Sequence, residues 1–170
     1  MNEIKSEATL VIIKPDGIKK SLTGNILSRF AEARLNILAT KMVVFTREMT
    51  EKHYCELTKE PFFEGLAEYI MGKYHTSRTM FLIYYGPDAI NKIRAICGAT
   101  NPEEADVYTI RGSYGRITTK GVFENVVHAS ANTKDAEREI KLWFNPDEIK
   151  SETLFSTKDI ENKNPVRVWA

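Results

Sequence analysis

Short apolar runs punctuate this chain, and each stops at a turn-forming residue. Thr9-Leu10-Val11-Ile12-Ile13 ends at Lys14-Pro15-Asp16-Gly17, which predicts a buried strand followed by a tight turn. Leu22, Ile26, Leu27, Phe30 and Ala33 then recur at helical spacing, so a first helix covers about 22 to 34. Residues 35 to 45 read as a second strand with a β-branched and aromatic end. Residues 48 to 72 are helix-rich and broken at Pro61, a residue suited to the first turn of a new helix. Thr79 to Tyr85 is a third strand. Gly86-Pro87 opens a third helix carrying Ile90, Ile93, Ala95 and Ile96, and Gly98 stops it.

Residues 98 to 120 lose apolar periodicity and are rich in glycine. A loop this long within a compact domain tends to be functional. The run Val122 to Val127 predicts a fourth strand with His128 at its exit. Asn132 or Thr133 caps a last helix, with Asp135 in its first turn and Ala136, Ile140, Trp143 and Phe144 on its buried face. Beyond about Pro146 the chain is polar and reads as a tail, partly packed through Leu154, Phe155 and Trp169. This order of elements predicts an α+β fold on the ferredoxin-like split βαβ plan, a four-stranded antiparallel sheet covered by helices. A fold alone implies no function.

The 170 residues are expected to form one domain, residues 1–170, with the polar tail starting at about 149. Lys plus Arg is 24 against 23 for Asp plus Glu, so bulk nucleic acid or an anionic membrane is not the expected partner and any anion site is local. Cys55 and Cys97 make no C-x-x-C pair and read as free thiols in a reducing compartment. The charged start carries no apolar signal-peptide core, and no apolar run reaches the ~18 residues of a membrane span. A cytoplasmic protein is expected.

Candidate chemistry centres on His128. An imidazole at a strand exit is positioned yet reachable, as a nucleophile or general base must be. Glu139 lies between Ala136 and Ile140 at the border of the buried helix face. A carboxylate accepting from one ring nitrogen fixes the tautomer and frees the other nitrogen for attack. Lys14 is presented from a rigid Pro-Asp-Gly turn, in which the Asp16 side chain can hold the turn. Arg94 on the third helix and Arg111 in the long loop offer planar, multi-donor guanidinium groups, and with Lys14 they outline a polyphosphate site. Thr100 follows the helix stop. Of the aromatics near Pro61, Phe63 reads as core, while an exposed one could stack on a flat base. No P-loop, G-x-G-x-x-G or G-x-S-x-G occurs, and His53, His75 and His128 have no metal-ligand spacing with cysteines or carboxylates.

Lys14-Pro15-Asp16-Gly17, His53-Tyr54, Pro61-Phe62-Phe63, Gly98-Ala99-Thr100-Asn101-Pro102, Thr109-Ile110-Arg111-Gly112, Asn125-Val126-Val127-His128 and Glu137-Arg138-Glu139-Ile140 together resemble the nucleoside diphosphate kinases. The likeness runs in order from about residue 7 to 148. It implies transfer of the terminal phosphate of a nucleoside triphosphate to a nucleoside diphosphate by a ping-pong route, with little base selectivity. It implies that His128 becomes phosphorylated on its pros nitrogen and that Glu139 orients it. Lys14, Tyr54, Arg94, Thr100, Arg111 and Asn125 would contact phosphate and ribose, and Phe62 would stack on the base. It further implies Mg²⁺ held mainly by the phosphates, with no metal ligand assigned on the protein, and a homo-oligomer (hexamer, tetramer or dimer). The chain departs from the family in three ways. It has His128-Ala129-Ser130-Ala131-Asn132 where His-Gly-Ser-Asp is common. It carries extra residues around 71 to 79 and between 111 and 125. Its C-terminal tail is longer. A nucleotide-binding protein that has lost turnover is the main rival, and the intact set from Lys14 to Glu139 argues against it. An RNA-binding module would want exposed sheet aromatics and a basic face.

Overall fold

The structure is a computed structural model that describes residues 5–149, 154–160 and 166–169. Its centre is a four-stranded antiparallel sheet in the order β2-β3-β1-β6, formed by β1 (Ser6–Ile13), β2 (Asn36–Val44), β3 (Arg78–Pro87) and β6 (Val127–Ala129). β1 and β3 are the inner strands, covered on both faces, which is why they read as unbroken apolar runs. The strand period of two sends Val11, Ile13, Leu82 and Tyr84 to one face, against Ile26 and Phe30 of α2 (Thr23–Ala31) and Ile93 of α5 (Ala89–Cys97). Leu10, Ile12, Phe81 and Ile83 go to the other, against Ile70 of α4 (Phe63–Ile70), Ile140 and Trp143 of α7 (Thr133–Trp143), and Phe144. The α+β, ferredoxin-like layout expected from the order of elements is the one observed. β2 is an edge strand and leaves Ile37, Met42 and Val44 more than half exposed.

Several local expectations change. The turn after β1 closes into a one-turn helix, α1 (Pro15–Lys19), with Pro15 in its first turn, where a missing N–H costs nothing. The first long helix is shorter than its apolar spacing suggests, because Leu22 precedes it and Ala33 follows it. Between α3 (Arg47–His53) and α4 a 3-10 turn spans Cys55–Leu57, and Pro61 sits two residues before α4 rather than inside it. β3 runs through Gly86-Pro87, and α5 starts only after Asp88, whose φ is +56°. The region read as a featureless loop contains α6 (Ile110–Tyr114) and a two-stranded ribbon of β4 (Arg116–Ile117) and β5 (Phe123–Glu124). Such short elements lie below what periodicity can register.

The fourth strand differs most. The run Val122–Val127 is not one strand: it breaks at Asn125-Val126, where Val126 takes φ +55°. A β-branched residue in that region is strained, and the surrounding contacts hold it there. His128 therefore lies within β6, paired with Ile12, and not at a strand exit. The two extra segments meet: His75 Nε2 is 2.9 Å from Glu124 Oε1, Arg116 Nε donates to Glu124 Oε2 at 2.6 Å, and the Lys120 ammonium lies 5.7 Å from the Tyr74 ring. The tail includes strands among its described residues, which a polar stretch does not predict. It pairs β7 (Thr157–Ile160) with β8 (Val166–Trp169), and Trp169 Nε1 donates to the Phe144 carbonyl at 2.7 Å. Among the described residues no helix is long and apolar enough to cross a membrane. The first four residues, used in the signal-peptide reading, lie outside the described residues.

Candidate active site

His128 faces α7 because it pairs with Ile12, whose side chain is on that side of the sheet. Ser130, two residues on, shares the face. The Asn132 side chain caps α7 by accepting from Asp135 N at 2.9 Å, which fixes where the helix starts and hence where its inner stripe falls. That stripe is Ala136, Glu139, Ile140 and Trp143. Glu139 lies under the strand, 4% exposed, with Oε2 3.0 Å from His128 Nε2. The Ser130 hydroxyl donates to the same oxygen at 2.7 Å and also receives the Leu10 N–H at 3.1 Å. Burial alone would raise the Glu139 carboxyl. The neighbouring His128, His53 and Ser130 outweigh it and bring the pKa down to about 2. An ionised Glu139 accepts the Nε2–H of His128, so the lone pair is on Nδ1.

Lys14 reaches the site from the end of β1. Ile13 pairs with Val127, so the next residue meets the Asn125-Val126 kink, and Lys14 N donates to the Val126 carbonyl at 2.8 Å. Its ammonium donates to Asn125 Oδ1 at 2.6 Å, and Asn125 Nδ2 donates to the Thr100 carbonyl at 2.7 Å. Lys14 is 6% exposed; burial first, then the Arg111 charge, lower its pKa to about 7, against Asp16 and Cys97, which raise it. The Asp16 carboxylate lies 4.0 Å from the Lys20 ammonium across its own turn, but its hydrogen bonds go further afield. Fully buried, it accepts from Tyr69 Oη at 2.6 Å and from Val126 N at 3.2 Å, and so fixes the strained residue beside Asn125.

Arg111 is also buried, clamped by backbone. Its Nη2 donates to the Val127 carbonyl at 3.1 Å and its Nη1 to the Gly98 carbonyl at 2.8 Å. Gly98 must be glycine here: its φ is +83°, and a Cβ would lie 2.2 Å from Thr109 Oγ1. Arg94 is exposed on α5, and its charge acts on both Arg111 and Cys97. Tyr54 lies with its ring centroid 6.2 Å from that of His128. Burial raises its phenol above the usual range, and its hydroxyl has no hydrogen-bond partner among the described residues. Phe62 is exposed immediately before α4, whereas its neighbour Phe63 is core.

One group that sequence spacing gives no reason to expect also forms. His53, His128 and Glu139 each offer a ligand-type atom, all within 4.8 Å of one another. Trp143 Nε1, a donor only, points at His53 Nδ1 at 3.1 Å. The Nδ1 lone pair is thus engaged and the proton of the neutral ring is on Nε2, so His53 offers an ion no free lone pair. The sequence reading missed the roles of Asp16, Ser130, Tyr69 and His53. Only Ser130 carried a local signal, the period-two relation to His128.

The arrangement is an imidazole with a fixed tautomer and a free Nδ1 lone pair, with Lys14 and Arg111 held by buried contacts. This is the equipment for displacement at phosphorus. The nucleoside diphosphate kinase family model matches residues 7–149. A nucleoside diphosphate kinase of Pyrococcus furiosus is 44% identical over 149 residues, covering 88% of each chain. The Borrelia burgdorferi nucleoside diphosphate kinase, solved as a transition state mimic with bound vanadate and ADP, superposes with TM-score 0.78 at 33% identity, covering 88% of this chain and 93% of that one. A halophilic nucleoside diphosphate kinase from Halobacterium salinarum in complex with CDP superposes with TM-score 0.76 at 33% identity, covering 86% and 93%. By sequence, fold and site, this chain belongs to the nucleoside diphosphate kinase family.

Proposed function

We propose that this protein transfers the terminal phosphate of a nucleoside triphosphate to a nucleoside diphosphate through phospho-His128. The observation that carries the reading is the 3.0 Å contact between His128 Nε2 and an ionised Glu139, which leaves the Nδ1 (pros) lone pair free. In the first half-reaction Nδ1 attacks the γ-phosphorus, the bond from that phosphorus to the β–γ bridging oxygen breaks, and the nucleoside diphosphate leaves with the electron pair. In the second, a terminal phosphate oxygen of another nucleoside diphosphate attacks the same phosphorus, and the N–P bond breaks. Ping-pong kinetics follow from the shared intermediate.

Lys14 and Arg111 lose no orientational freedom when the phosphates arrive, because buried contacts already hold them, and Arg94 adds charge from the surface. Tyr54, Thr100 and Asn125 are the uncharged contacts to phosphate and ribose. Exposed Phe62 offers a π-face to any base. The ADP and CDP of the two related structures, a purine and a pyrimidine, are in keeping with low base selectivity. The site's polar groups suit a phosphate chain that arrives with Mg²⁺. The buried carboxylates among the described residues are engaged, Glu139 by His128 and Ser130, Asp16 by Tyr69 and Val126 N, and Glu124 by His75 and Arg116, so phosphate oxygens would hold the ion. Bound there, it supplies charge neutralisation on the transferring group. Ala129 and Ala131 replace the family's common Gly and Asp, while Ser130 keeps its hold on Glu139.

The half-exposed Ile37, Met42 and Val44 on edge strand β2 suit burial against another copy, in keeping with a homo-oligomer. Residues 1–170 are taken as one domain of a cytoplasmic phosphoprotein. The test is incubation of purified protein with γ-labelled ATP and Mg²⁺. An acid-labile, alkali-stable phosphate is expected, and His128→Ala abolishes it; an unlabelled wild type overturns the reading.

A further inference from the structure

His53 is 2% exposed and sits against the nucleophile, with ring centroids 4.7 Å apart and planes at 67°. Its Nδ1 accepts the Trp143 indole N–H at 3.1 Å, which leaves the ring proton on Nε2. That Nε2 is buried and has no hydrogen-bond partner among the described residues. Leaving a buried donor unmatched costs about 1–3 kcal/mol, and a group kept this way calls for a reason. The ring is held from every side: Trp143 at Nδ1, Phe45 at 5.8 Å and Tyr54 at 4.5 Å between ring centroids, with the His53 carbonyl tied to Arg138 Nη1 at 3.1 Å. Glu139 favours a proton on the ring, while His128, Arg138 and Lys14 oppose one; burial, the largest influence, keeps it neutral.

We propose that His53 is a positioning residue for phosphoryl transfer, its Nε2–H edge, set by Trp143, holding the His128 imidazole at the angle from which Nδ1 attacks. The proposal rests on the phosphorylation of His128 proposed above. The physical need is specific. The His128 Nε2 to Glu139 contact alone does not stop the imidazole tilting about that axis. A tilt carries Nδ1 off the line of attack, and misplacement by about 1 Å can cost 10²-fold in rate. A rigid ring meeting His128 at a steep angle blocks the tilt, and its Nε2–H is the one polar group of that ring without a hydrogen-bond partner among the described residues. The Trp143 hydrogen bond makes the edge a donor whatever the pH near neutrality, so His53 neither competes for the phosphoryl group nor repels His128 as a second cation.

Two substitutions separate this role from packing. In His53→Asn the amide oxygen takes the place of Nδ1 and keeps the Trp143 partner, but the Nε2–H is gone. In His53→Gln the amide N–H takes the place of Nε2, but the acceptor for Trp143 is gone. Single-turnover phosphorylation by labelled ATP and Mg²⁺ is measured for each, beside the nucleotide KM and the thermal midpoint. The expected result is a rate at least about tenfold lower for Asn, largely recovered by Gln, with KM changed less than about twofold. Stability follows the opposite order, Asn above Gln. Rates that follow the order of the thermal midpoints overturn the proposal, as does wild-type rate in His53→Asn. A wild type that takes no label overturns both this and the function it rests on, whereas a labelled wild type with an unaffected Asn variant overturns only this. Should the variants not fold, ¹H–¹⁵N spectra of the wild-type protein decide. His53 held as the Nε2–H tautomer from pH 6 to 8 supports the proposal, and an Nδ1–H or titrating ring overturns it.

Discussion

Lys14 gives the most quantitative expectation. Burial and the Arg111 charge bring its pKa from 10.5 to about 7, a gap that corresponds to roughly 5 kcal/mol against the charged form. A phosphate chain beside it reverses that balance, since an ammonium next to two or more anionic oxygens is favoured again. Nucleotide binding therefore takes up a proton. At pH 8 a group of pKa near 7 is about 90% neutral, so about 0.9 proton per nucleotide is taken up, falling to about 0.5 at pH 7. Apparent affinity weakens by about tenfold per pH unit above 8. Calorimetric titration with ADP in buffers of different ionisation enthalpy reads the uptake directly. The pH is kept above 7.5, clear of the nucleotide's own phosphate titration near 6. Lys14→Met should bind weakly and with no uptake. Uptake below about 0.2 proton at pH 8, or uptake that persists in Lys14→Met, refutes the reasoning. The same gap has a sign for folding. The unfolded chain holds the Lys14 proton up to pH 10.5 and the folded one only to about 7, so this group's contribution to stability rises with pH across that window.

Glu139 has the same sign in a lower pH window. Its folded pKa of about 2 lies below the ordinary carboxyl value of 4.5, so its contribution, roughly 3 kcal/mol, is complete above pH 4.5 and lost as pH falls toward 2; Glu139→Gln should flatten acid unfolding there. Ser130→Ala removes a 2.7 Å hydrogen bond to that ionised carboxylate, a loss of about 1–3 kcal/mol, and should lower kcat with little change in KM. Phe62→Ala, at a residue 56% exposed, should leave the thermal midpoint within a degree or two and raise KM for purine and pyrimidine nucleotides alike, since stacking is worth about 1–3 kcal/mol per base. A KM effect confined to one base would contradict a stacking role.

The strands on either side of the first helix, the capped last helix and its inner stripe were legible because each is written in consecutive residues. A buried inner strand must be apolar on both faces, and a helix must repeat its apolar residues every three or four. Glu139 could be placed on that border by spacing alone. The break at Val126 could not, because nothing in a run of apolar residues marks a left-handed backbone held by the distant Asp16. The same blindness covered α6 and the β4–β5 ribbon, whose few residues are ordered by contacts such as Arg116 with Glu124.

By itself the sequence determined the α+β class, the order of the site residues along the chain and hence the family. These are set by local periodicity and by which side chains occur in what order. Tertiary structure decided what those side chains are. Lys14 and Asn125 are 111 positions apart and meet at 2.6 Å; the burial there and the Arg111 charge turn an ordinary lysine into one whose pKa lies at about 7. His53 and Trp143 are 90 apart, and one indole N–H fixes which nitrogen of His53 carries its proton. Charge state and tautomer depend on distance, burial and the direction of a donor, and those exist only once the chain has folded.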